Sequence, residues 1–240
     1  MWLPLSLLSF ADMGFFFSRL FRYIIVFFAL YSGTQYVLKN KGYNFSPKEF
    51  KSLAEKAKGE GISTVAKLAT DLQKVYGPLI SKDLVWTGFQ AGGMQLKALV
   101  LHGGLTEFIV AFQAPFATTG RSGIHFANST CTVLSGSVQR VSDIASSDNI
   151  ETFAAGGNFR QTEFESSLFS IKEKSVVVCY GRGFVPFSSL WALPQNILGG
   201  DLASTARFQF FYLRNMYESL AHTAMNTYNH VKKTYLKTEL

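Results

Sequence analysis

The side chains of this chain that could do chemistry are few and scattered. Its four histidines, His102, His125, His222 and His230, and its two cysteines, Cys131 and Cys179, share no metal-ligand spacing. No metal site and no cofactor are expected. Phosphate-loop, dinucleotide and nucleophile-elbow signatures are missing too. What remains is acid–base chemistry at Glu107 or His102, for each of which a buried, hydrogen-bonded structural group is the preferred reading. His125, beside Phe126, reads as packing.

The elements that would position these groups are mostly strands. Both cysteines sit in β-branched, aromatic runs that end in glycine, over 124–136 and 175–183, as two walls of one closed β structure between Trp86 and Gly183. Strands are expected over 95–102 and 105–113, joined by a two-residue turn at Gly103-Gly104, then over 124–129, 131–141, 162–171 and 175–180. Many short strands in about a hundred residues indicate a small barrel or jelly roll, able to enclose one small ligand. Ahead of it, Ser46, Pro47 and Glu49 form a capping-box start for a helix through Lys58. A second helix spans 63–76, with Val65, Leu68, Leu72 and Val75 on one face. After it, a helix over 187–193 stops at Pro194. A long one then runs to about Leu236, on which Leu213, Met216, Tyr217, Leu220, Ala224, Tyr228, Val231 and Tyr235 recur at helical spacing.

At 240 residues, 48% hydrophobic and 16% charged, the chain suits one sizeable domain with a membrane-associated part. A net charge of +7, spread along the sequence, points to anionic headgroups or acidic protein surfaces and away from nucleic acid. Residues 23–38 carry no charge, and with Leu20, Phe21 and a snorkelling Arg22 they approach the length of a spanning helix. A signal peptide or a mitochondrial presequence is the rival reading. The first 14 residues read as a re-entrant or interfacial segment, or as a contact with a partner protein.

The motifs Gln90-Ala91-Gly92-Gly93-Met94, Leu101-His102-Gly103-Gly104-Leu105-Thr106-Glu107-Phe108, Gly120-Arg121-Ser122-Gly123 and Tyr180-Gly181-Arg182-Gly183-Phe184-Val185-Pro186 resemble the family of the sigma-1 receptor and the fungal C-8 sterol isomerases. The resemblance implies an α+β fold, with an N-terminal transmembrane helix, a small cupin-like β-barrel and amphipathic C-terminal helices against the bilayer. It divides the chain into an apolar anchor (1–40), a helical lead-in (41–83), a barrel (84–185) and membrane-adjacent helices (186–240). It also implies a ligand pocket at Phe89, Met94, Val100, Phe108, Val110, Phe112, Ile171 and Met216, and a homotrimer as one oligomeric state.

The chain departs from that family at its acids. The glutamate that precedes the Tyr-Gly-Arg-Gly motif is Cys179 here, and the strand that carries the partner carboxylate offers Asn128, Ser129, Thr130 and Cys131. Moving a sterol double bond needs a proton donor and a base, and an apolar thiol is poor at both. Family geometry brings Cys131 and Cys179 together, either as a disulfide across the former acid site or as two buried thiols. The expectation is a pseudo-enzyme of the endoplasmic reticulum or mitochondrial inner membrane, serving as an accessory subunit of a membrane complex or binding a sterol or other lipophile. A sterol isomerase with a displaced acid and a sigma-1-like receptor are the alternatives.

Overall fold

The computed structural model describes residues 10–142, 149–186, 197 and 199–238. The chain divides into two units, one through Gly42 and one from Tyr43 onward. The first holds a single described helix, α1 (Phe10–Asn40), 31 residues and about 46 Å long. It leaves Phe21, Tyr23, Ile25, Phe28 and Leu30 exposed. Among the described residues, no helix is long and apolar enough to cross a membrane. The expected spanning helix is thus unsupported, because Arg22 interrupts the apolar run and Ser32, Gly33, Thr34 and Gln35 dilute it. Residues 1–9 of the expected interfacial segment, and the helix expected over 187–193, lie outside the described residues.

In the second unit, α2 (Pro47–Ala57) and α3 (Ser63–Tyr76) lie where sequence places them. The start of α2 differs in detail. Ser46 is the N-cap but its side chain makes no cap bond, and Glu49 instead accepts from the Tyr76 hydroxyl at 2.7 Å. The Ser46 N–H donates to that same hydroxyl at 3.3 Å. A tyrosine from the next helix therefore takes the place of the capping box.

Among the described residues ten antiparallel strands follow: β1 (Thr87–Ala91), β2 (Met94–Gly103), β3 (Glu107–Gln113), β4 (Thr118–Arg121), β5 (Ala127–Ser135), β6 (Ser137–Ser142), β7 (Glu151–Ala154), β8 (Asn158–Gln161), β9 (Ser167–Ile171) and β10 (Val176–Gly183). They form a six-stranded sheet in the order β1-β2-β3-β10-β5-β8 and a four-stranded sheet in the order β4-β9-β6-β7. The larger sheet is apolar on both faces. Its outer residues, such as Leu99, Leu101, Ile109, Leu134 and Val178, pack with Phe50, Leu68 and Leu72 of α2 and α3. Its inner residues, such as Cys131, Val133, Val177 and Cys179, meet Val138, Phe169 and Ile171 of the smaller sheet. This two-residue alternation separates the helix-facing core from an interior lumen. The two cysteine strands are hydrogen-bonded neighbours within one sheet.

The sheets close on each other where two of the glycine motifs meet. The Arg121 N–H donates to the Gly92 carbonyl at 2.7 Å, across the turn between β1 and β2. A Cβ at Gly92, whose φ is +59°, would stand 1.6 Å from the Arg121 carbonyl oxygen, and one at Gly120 would stand 2.3 Å from that of Gly92. Only glycine permits this approach.

Three strand boundaries move relative to the sequence reading. Gly103 still pairs, with Phe108, so the turn falls over 104–106; Gly103 instead admits α4 (Leu202–Thr238), since a Cβ there would lie 2.8 Å from the Tyr212 carbonyl oxygen. The strands expected over 124–129 and 131–141 break at Gly136 (φ +78°) and not at Thr130. The strand expected over 162–171 begins only at Ser167, because Phe164 takes a left-handed φ of 64°. Helix α4 packs on β2 and β1 through Phe208, Tyr212 and Asn215. The apolar stripe read from its sequence faces away from the barrel, leaving Leu213, Tyr217, Leu220 and Tyr228 exposed.

A buried polar cluster joins the barrel to its helical lead. Glu107, only 2% exposed, accepts hydrogen bonds from the Asn44 N–H (2.9 Å), the Phe45 N–H (3.3 Å) and the Tyr180 hydroxyl (2.7 Å). Arg182 donates to the Tyr180 oxygen and to the Phe45 carbonyl, and stacks its guanidinium over Tyr43 at 4.3 Å. Burial and the bond to Glu107 raise the Tyr180 pKa. Glu107→Ala would strip the buried Phe45 N–H and the Asn44 N–H of their acceptor, leave the Tyr180 hydroxyl only the Phe45 carbonyl at 3.1 Å and remove the carboxylate 3.9 Å from Arg182, and a loss of about 3 kcal/mol is expected. Denaturant unfolding of the variant checks this, and an unchanged midpoint would contradict it.

Candidate functional site

Between the sheets and beneath α4 lies a cavity of about 190 Å³. At roughly 10–15 Å³ per water-sized body, that is room for on the order of a dozen. Six of the eight expected pocket residues, Phe89, Met94, Phe108, Val110, Phe112 and Ile171, line it together with Cys131 and Cys179. Two do not. Val100 is buried in a separate cluster with Val110, Val185, Phe208 and Tyr212. Met216 lies one turn beyond Tyr212, half-buried on α4 and outside the cavity.

Cys131 and Cys179 face each other across β5 and β10, with Cα atoms 4.1 Å apart and their sulfurs joined in a disulfide. Both line the lumen, so the two positions that the sequence compares with family acids hold a nonionisable group. His102 and Glu107 sit on the other side of the sheet. His102 donates from Nδ1 to the Leu79 carbonyl at 2.8 Å and packs on the Phe45 ring at 4.6 Å.

Several lining residues were missed by sequence reasoning. Ser129, Phe169 and Val177 each stand two positions from a residue already singled out, so strand alternation could have found them. Phe208, Gln209 and Tyr212 of α4, and Gln161 of β8, carry no such signal. His125, set aside as packing, is half-buried in the cavity wall. Desolvation lowers its pKa to about 4, outweighing a hydrogen bond to the Ser122 main chain. It is neutral at physiological pH. Tyr212, whose pKa burial raises, donates to the Gly104 carbonyl at 2.6 Å.

The polar rim is braced by ion pairs outside the lumen. Arg140 contacts Glu151 at 2.6 Å and Glu165 at 3.6 Å. Burial pushes the Glu165 carboxyl up, but hydrogen bonds from the Thr162 N–H and hydroxyl, with the Arg140 charge, hold it below its ordinary value. Among the described residues lining the cavity there is no carboxylate, lysine or arginine. Nor do the described residues contain a group of three His, Cys, Asp or Glu able to hold a metal.

Fold and site together define a two-sheet antiparallel β-barrel with an uncharged, mostly apolar lumen under a long helix. Comparison with known sequences then assigns it. The model of the family described as "ERG2 and Sigma1 receptor like protein" matches residues 21–224, and the chain belongs to that family. It is 30% identical to the Sigma non-opioid intracellular receptor 1 of Xenopus tropicalis, over 67% of this chain and 73% of that one. It is 28% identical to the receptor of the same name in Danio rerio, over 75% and 80%. It is 26% identical to the C-8 sterol isomerase erg2 of Aspergillus fumigatus, over 71% and 72%. Among solved structures, KdgF from Halomonas sp. aligns with a TM-score of 0.36 at 10% identity, over 44% of this chain and 94% of that one. An RmlC-like cupin from Shewanella frigidimarina aligns with a TM-score of 0.35 at 13% identity, over 43% and 86%.

The His125 environment makes a pH prediction. A folded pKa near 4 against an ordinary 6.5 means that the unfolded chain binds the extra proton between those values, so stability falls as pH drops through that window. Thermal unfolding of the wild type from pH 7 to pH 4 is expected to show a steeper loss than that of His125→Phe. Equal slopes in the two proteins would contradict the assignment.

Proposed function

We propose that this protein is a non-catalytic, membrane-associated member of its family whose barrel binds a neutral lipophile. One observation carries the reading: the lumen has a disulfide where the acids are expected, and no charged side chain among its described lining residues. A double-bond shift needs an acid that protonates an alkene and a base that removes a proton elsewhere. Neutral His125 and the Tyr212 phenol supply neither strong acid nor strong base at pH 7. Glu107, the acid an isomerase reading would enlist, is turned outward and engaged by three donors. A cationic amine, as a receptor ligand, would find no counter-charge in the lumen.

Membrane association draws support from the exposed apolar residues of α1, Phe21, Ile25, Phe28 and Leu30, and separately from those of α4, Leu213, Tyr217, Leu220 and Tyr228. The same surfaces suit contact with neighbouring subunits of a membrane complex, the accessory role within this reading.

Incubation of the purified protein in nanodiscs with a Δ8 sterol is expected to yield no Δ7 product while a neutral lipophile binds saturably. Turnover would sink the non-catalytic reading, and absence of any saturable binding would sink the lipophile reading. On mild detergent extraction from its own membrane, the protein is expected to migrate with fixed partners above the mass of a homotrimer. A free monomer or a bare trimer would rule out the accessory role.

A further inference from the structure

Resting on the reading of the barrel as a lipophile site, we propose that Gln161 and Ser129 form a docking point for the hydroxyl group of a neutral lipophilic alcohol. Gln161, the last residue of β8, is 6% exposed and lines the cavity. Its Nε2 donates to Ser122 Oγ at 2.8 Å and to the Glu165 main-chain carbonyl at 3.3 Å. A carbonyl can only accept, so this end of the amide must be the nitrogen, and Oε1 is turned the other way. Among the described residues no hydrogen bond reaches that Oε1. Ser129 is the cross-strand partner of Gln161 between β5 and β8 and is half-buried in the same wall. Its hydroxyl likewise has no partner among the described residues.

The amide is held in place before any ligand arrives. Ser122 Oγ also accepts from the Ser167 N–H at 3.1 Å, and Glu165 is fixed by Thr162 at 2.9 Å and by Arg140. An acceptor held in a rigid setting at the cavity wall selects for a donor, because a ligand that covers it without donating displaces water and leaves it unpaired. A hydroxyl can donate to Gln161 Oε1 and accept from the Ser129 hydroxyl. A ketone can only accept, and a hydrocarbon can do neither. A protonated amine could donate, but it would bring a charge into an uncharged lumen. Aromatic and aliphatic side chains, Phe108, Phe112, Phe159, Phe169 and Ile171, supply the walls for the ligand's apolar body.

The test uses the full chain in lipid nanodiscs and radiolabelled probes of one length, short enough for a cavity of about 190 Å³: 1-octanol, octane and octylamine. The alcohol is expected to bind about tenfold tighter than the alkane, and the amine more weakly than the alcohol. Gln161→Leu should abolish the preference for the alcohol. Ser129→Ala, which removes only a hydroxyl and keeps the strand, should narrow it. Equal binding of alcohol and alkane, or an unchanged preference in Ser129→Ala and in folded Gln161→Leu, would overturn the docking point while leaving the lipophile reading intact. Failure of all three probes to bind would overturn the lipophile reading itself.

Discussion

The junction between the barrel and its helical lead depends on one buried carboxylate. Glu107 is almost wholly removed from water, a position sustained by two main-chain N–H groups and a phenol that converge on it and by the Arg182 guanidinium, whose Nε lies 3.9 Å from its Oε1. Strand alternation then decides what happens on the other face. With Glu107 and Tyr180 pointing outward on β3 and β10, Phe108 and Cys179 must point inward. The polar cluster is thus confined to the outside of the sheet, and the inside is left to apolar groups and a disulfide. Gly181 belongs to the same arrangement: it pairs with Phe108, and a Cβ there would come within 2.2 Å of the phenyl ring. The tyrosine, glycine and arginine of one short motif therefore serve two faces, an ionic brace outside and an aromatic wall inside.

Much of this was legible in the sequence, and the misses have physical causes. Helix α3 covers the 63–76 span that its apolar periodicity indicated, after the break at Gly59 and Gly61. The cysteine strands were visible as β-branched runs, whereas their pairing, set by topology and not by composition, was implied only by the family resemblance, which offered the Cys131–Cys179 disulfide as one of two arrangements. Gly103-Gly104 resembled a hairpin turn, whereas Gly103 serves the close approach of α4, a tertiary demand that no local pattern encodes. The break at Phe164 was hidden for the opposite reason, because a bulky residue in a left-handed conformation violates the local rule. Strands β7 and β8, four residues each, were too short to show a period.

For the site, residues at alternate positions of long strands were found or could have been found, and the loop and helix contributions could not. Val100 has the right parity and is still not in the cavity, because Phe208 and Tyr212 of α4 pack in its cluster. His125 reached the wall from a segment outside any strand. The amphipathic stripe of α4 was correct as a pattern, but the pattern alone did not give its direction: the barrel takes Phe208, Tyr212 and Asn215 instead.

The chemistry of the lumen follows from what burial permits. A disulfide needs no solvent and no counter-ion, and neutral Gln161, Ser129 and His125 provide polarity without charge. Such an interior suits an uncharged molecule, which is the basis of the proposed lipophile reading. Native mass spectrometry of the protein released from its own membrane is the most direct test of that claim. One uncharged hydrophobic molecule retained per chain is the expected result. A chain that is always empty, or that carries a cationic amine, would contradict it.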